Sequence, residues 1–64
     1  MTLEEIKEAV NNGKTVHWAT THYTVHKYSE DCWDIVHSGG HAIGLTWLNG
    51  ITLNGKEEDF FIEE

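Results

Sequence analysis

Apolar positions recur at helical spacing over the first ten residues of the chain and in strict alternation after that. In MTLEEIKEAVNNG, Leu3, Ile6 and Val10, joined by Ala9, form one stripe along a helix. Thr2 and Glu5 stand at the spacing of a capping box, in which each side chain bonds the other's backbone N–H. Asn11-Asn12-Gly13 supplies residues that tolerate a left-handed turn at a helix C-terminus. These signals predict a helix over residues 3–11.

From Lys14 the period is 2. KTVHWA, YTVHKY, CWDIVH and HAIGLTWL are rich in β-branched and aromatic residues and predict strands over 14–19, 23–28, 32–37 and 41–48. The breaks between them (TTH, SED, SGG and NG) are short, which calls for an antiparallel meander. A consistent register sets Trp18 opposite Tyr23, Tyr28 opposite Cys32, and His37 opposite His41. One face then collects Val16, Trp18, Tyr23, Val25, Trp33, Ile35, Ile43, Leu45 and Trp47, and a slip of one residue would scatter that set. The helix stripe is the local element able to cover it. The expected fold is α+β: one N-terminal helix on a four- to five-stranded antiparallel sheet, as a single domain over 1–64. Farther on, LNGITLNG places Asn-Gly, the preferred pair of a tight type I′ turn, twice. DFFIE reads as a short edge strand over 59–62, with acidic flanks that discourage pairing with other chains.

Composition narrows the class. Sixty-four residues bury a small core and sit near the lower limit of independent stability. With Cys32 as the sole cysteine, no disulfide within the chain is available, which points to a reducing compartment and to aromatic packing, metal or self-association as support. No apolar run approaches the roughly 20 residues of a membrane helix, so a cytoplasmic protein away from membranes is expected. The net charge of −7 is concentrated at the ends, in Glu4, Glu5 and Glu8 and in Glu57, Glu58, Asp59, Glu63 and Glu64. That charge argues against nucleic acid, whose phosphates it would repel, and suits a basic protein partner or simple solubility.

Four constellations carry possible chemistry. His37 and His41 flank Ser38-Gly39-Gly40 and oppose each other, close enough for two imidazoles to share a metal. No CxxC or HExxH supplies further ligands, so a rim pair at a tight turn is the plainer account, and no cofactor is expected. The same glycines could offer N–H groups to a phosphate, but they join two strands rather than opening a helix. Cys32, His26 and Asp34 are the ingredients of nucleophilic catalysis, on an open sheet without a pocket or oxyanion-stabilising turn, so a non-enzymatic protein is expected. Finally, the outer sheet face carries small groups at Ala42 and Gly44. An interior strand glycine often marks close approach by a backbone or ligand. His17, Thr24, His26, Tyr28, Asp34, Gly44 and Thr46 are the candidate contact residues there, and the three tryptophans are expected in the core.

Taken as a whole, TLEEIKEAVNNGKTVHW, IGLTW and LNGKEEDFFIE resemble a class of short proteins encoded by bacteriophages and other mobile elements. The resemblance implies a setting, the bacterial host cytoplasm, and brings no site residues with it. The resulting expectation is a small acidic protein, self-associating, that docks on a host defence or regulatory protein and inhibits or modulates it. The alternative is an oligomeric module that sequesters a small polar or nucleotide-like ligand through His26, Tyr28 and Thr46.

Overall fold

The computed structural model describes residues 1–47, 50 and 52–63. Helix α1 spans Leu3–Asn11, and both halves of its capping box form: the Glu5 N–H donates to Thr2 Oγ1 at 3.2 Å and the Thr2 N–H to Glu5 Oε1 at 2.9 Å. At the other end the N–H of Gly13, whose φ is +81°, closes on the Val10 carbonyl. Ile6 and Ala9 are its buried residues.

Five strands follow: β1 Val16–Trp18, β2 Thr20–Ser29, β3 Cys32–His37, β4 Ala42–Gly44 and, after a 3-10 turn at Glu57–Asp59, β5 Phe60–Ile62. They form one antiparallel sheet in the order β4-β3-β2-β1-β5. The first four are the expected meander. The fifth crosses to the far edge and pairs with β1, setting Val16 opposite Ile62 and Trp18 opposite Phe60.

The alternation defines the core. Val16, Val25, Trp33, Ile35, Leu45 and Phe60 are buried against Ile6 and Ala9 of α1. The registers Val25–Ile35, Lys27–Trp33 and Ile35–Ile43 stand as the pattern dictates. Two irregularities were invisible in it. Ser29, not Tyr28, opposes Cys32, because a bulge falls between Lys27 and Ser29. Trp18 opposes Thr20, not Tyr23, because the chain turns sharply through Ala19 at φ +63°. The two rings still meet edge to face, with centroids 4.9 Å apart.

The helix-side set also loses two members. Ile43 is 40% exposed and Trp47 is 64% exposed, so Trp47 does not join the core. Helix α1 packs mainly on β1 and β2, and β4 is the sheet edge farthest from β1 in that direction, which leaves Ile43 at the margin of the core. Strand β4 ends at Gly44: the Leu45 N–H still donates to the Trp33 carbonyl, and the chain then bends away from β3. The chain finds its next partner in residues 52–54 instead: Thr46 bridges Leu53, the Trp47 N–H donates to the Thr52 carbonyl, and the Asn54 N–H to the Leu45 carbonyl. The expected end of this strand at Leu48, and the first Asn-Gly turn at Asn49, lie outside the described residues.

Candidate functional site

The outer face of the sheet is built by the residues that alternate with the core. Along β2 these are Thr24, His26 and Tyr28; across from them stand Asp34 and Val36 on β3, then Ala42 and Gly44 on β4. His26 opposes Asp34, Asp34 opposes Gly44, and Val36 sits between Thr24 and Ala42. His26 stacks on the exposed Tyr28 at 5.9 Å between centroids. A shallow groove of about 200 Å³ runs along this face, lined by Thr21, His22, Thr24, His26, Val36 and Ser38, with His37 at its end. Five of the proposed contacts, Thr24, His26, Tyr28, Asp34 and Gly44, are thus brought together.

His17 is not one of them. It lies on the outer side but is only 4% exposed, which removes it from any contact surface. Backbone pairing explains why. The Ser38 N–H to His22 carbonyl bond sets the even positions of β2 toward β3, so the Tyr23 carbonyl points at β1. The pairing of β1 with β2 shifts register between His17, which opposes Thr24, and Trp18, which opposes Thr20. At that shift His17 Nδ1, 2.8 Å from the Tyr23 oxygen, donates to the carbonyl from the side chain. Nε2 lies 3.1 Å from Glu63 Oε1, and Phe61 leans over the ring at 5.5 Å. The histidine is a plug in the sheet. That Phe61 and Glu63 cover it is not legible in the sequence, because nothing in the local pattern says that the C-terminal segment lands beside β1.

Gly44 also has a local cause. A Cβ there would stand 3.2 Å from the Thr46 carbonyl, so the close approach inferred from this glycine is made by the chain's own return. Asn54 Nδ2 further donates to the Gly44 carbonyl at 3.1 Å. Thr46 lies past the bend, half-buried, and lines a separate hollow with Asp34 and Cys32 rather than the groove on the outer face.

His37 and His41 do face each other across the turn, closed by the His37 N–H to His41 carbonyl bond at 2.7 Å. Their rings are stacked at 4.5 Å and 10°, which keeps their lone pairs parallel rather than convergent. The Gly39 N–H donates to His37 Nδ1 at 2.9 Å, placing the ring proton on Nε2. A metal on Nε2 would displace that proton. Among the described residues no group of three or more His, Cys, Asp or Glu side chains is placed to hold a metal ion. Likewise, no hydrogen bond links Cys32 to His26 or Asp34 among the described residues, and Cys32 is exposed.

The few cations are largely engaged. Lys7 and Lys27 both sit over the Trp33 ring, at 5.5 and 5.4 Å, and Lys27 Nζ also bonds Asn11 Oδ1 and Glu30 Oε1. The Lys27 hydrogen bond and charge hold the exposed Glu30 carboxyl below its ordinary range. On the helix side, Phe60, Trp18, Tyr23, His37 and His41 form a continuous row of rings across the sheet. Among the described residues the buried Trp18 Nε1 finds no hydrogen-bond partner, and Gly55 packs against the indole.

The chain matches no protein-family model, no curated protein and no solved structure. Among the described residues no helix is long and apolar enough to cross a membrane.

Proposed function

We propose that the protein is a non-enzymatic binding module that docks another protein on the outer face of its sheet. The observation that carries this reading is one-sidedness. The helix and every buried apolar residue serve the other face, while Thr24, His26, Val36 and Ala42 line an uncovered surface with few charges in an otherwise acidic protein. In the bacterial setting that the resemblance implies, the partner is a host protein whose action the module inhibits or modulates. Ala42→Arg is the direct probe, since Ala42 is exposed on the outer face, opposite Val36. Gly44→Arg is unsuitable because of the Thr46 carbonyl. Affinity capture from host lysate should recover a partner with the parent protein and lose it with Ala42→Arg at unchanged melting temperature. Equal recovery by both forms would overturn the assignment of this face.

The polar lining of the groove supports a second reading, sequestration of a small polar ligand. At about 200 Å³ the groove is smaller than the roughly 300 Å³ of an ordinary ligand pocket, so this reading requires two copies to enclose the ligand. Solution mass and nucleotide-dependent melting decide it. A monomer whose melting temperature ignores nucleotides rules it out.

A further inference from the structure

The sheet has two edges, and they differ. At β4 the chain's own return crowds one end of the edge: residues 52–54 pair with 45–47, just past the strand, and Asn54 Nδ2 donates to the Gly44 carbonyl, while the backbone groups of Ala42 face outward. At β5 no such return is present among the described residues. The Ala19 N–H to Asp59 carbonyl and Glu63 N–H to Thr15 carbonyl bonds turn the odd positions of β5 toward β1. The Phe60 carbonyl and both backbone groups of Ile62 therefore point outward, and β5 is the last strand of the sheet among the described residues. The edge is also firmly seated, through the His17–Glu63 contact and the buried Phe60 ring.

A groove of about 210 Å³ lies between α1 and this edge, with Met1, Ala9 and Ile62 as apolar floor and Glu5 and Glu8 on its wall. Glu57, Glu58 and Asp59 lead directly into the strand. Against these carboxylates stand Lys14 at one end of the groove, Lys56, and the terminal ammonium, which donates to the Glu57 carbonyl. One oxygen of Glu5 is held by Thr2. The balance is negative. Carboxylates around a free edge repel a second copy of the same acidic chain, and they attract a cationic strand.

We infer that the free edge of β5 and the α1–β5 groove receive an extended, lysine- or arginine-bearing segment of another protein, added as a further strand. Its backbone pairs with Phe60 and Ile62, and alternate side chains lay their aliphatic stems on the Met1–Ala9–Ile62 floor with their charged ends toward Glu8 and η1, the 3-10 turn at Glu57–Asp59. This inference does not depend on the outer-face reading, which concerns the opposite side of the sheet.

The test is amide NMR titration of the full chain with a short peptide alternating lysine with valine and threonine. Controls are its glutamate-for-lysine counterpart and a version N-methylated at alternate backbone nitrogens. Shifts should centre on Phe60, Ile62 and Glu8 and spare Thr24, His26 and Ala42. The Glu8→Lys/Glu58→Lys protein, altered at two exposed positions outside the capping box, should bind roughly tenfold more weakly. N-methylation on the pairing edge should abolish binding, and added salt should weaken it. Equal binding of the lysine and glutamate peptides, undiminished binding of the methylated one, or shifts confined to the outer face would each overturn it.

Discussion

Replacing His17 by alanine tests the most unusual packing feature of the fold. The ring fills a place where the ladder between β1 and β2 is interrupted, and its Nδ1–H is the donor that meets the Tyr23 carbonyl. Removing it takes one donor from that strand carbonyl at a site where the histidine is only 4% exposed. A lost intramolecular hydrogen bond costs about 0.5–1.5 kcal/mol, and loss of the ring contact with Phe61 adds roughly 1 kcal/mol. A domain of 64 residues has a total stability of about 3–10 kcal/mol, so His17→Ala should remove a large fraction of it. The neighbouring contact with Glu63 is a weaker matter. The Glu63 side chain is 57% exposed, so Glu63→Ala should cost less than about 1 kcal/mol. Urea unfolding followed by tryptophan fluorescence separates the two, provided the slope is unchanged and the midpoint alone moves. If Glu63→Ala were as damaging as His17→Ala, or if His17→Ala moved the midpoint by less than about 0.5 kcal/mol equivalent, the account of His17 as a buried side-chain donor to the sheet would be wrong.

Two further outcomes follow from local geometry. The Thr2 backbone N–H and hydroxyl hold the Glu5 carboxyl below its ordinary range, so the support it gives α1 is complete above about pH 4.3 and is lost as pH falls through the lowered native value; helical circular dichroism between pH 7 and 3 should drop more in the parent than in Glu5→Gln, and equal drops would contradict this. At Gly55, φ is +142° and a Cβ would lie 2.8 Å from Trp18 Nε1, whereas at Gly40, φ +103°, it would meet nothing within 4 Å; Gly55→Ala should therefore cost about 1–3 kcal/mol more than Gly40→Ala in urea midpoints, and parity would show that the indole yields freely.

Much of the fold is legible because helices and strands write their periods into adjacent residues. Leu3, Ile6 and Ala9 announce α1, Thr2 and Glu5 its start, and the alternation from Cys32 to His37 gives β3 with its bounds as observed. The hairpin through Ser38-Gly39-Gly40 was equally plain, and Gly40 adopts the positive φ such a turn needs. The candidate contact face was legible to the same degree: Thr24, His26, Asp34 and Gly44 share a side because alternation dictates it. His17 obeyed the same parity and was nevertheless misjudged, since parity tells which side a residue faces and not what lies above it.

What the sequence determined by itself is therefore local: one capped amphipathic helix, four alternating strands and the register that gathers Val25, Trp33 and Ile35 on one side. Tertiary structure decided the rest. It placed β5 beside β1 across the whole width of the sheet, buried His17 beneath Phe61 and Glu63, and left Ile43 and Trp47 exposed. The physical reason is range. Backbone periodicity couples neighbours within a few residues, whereas the burial of His17 depends on Glu63, 46 positions away, and on a ladder interruption at Ala19 that no alternation pattern encodes.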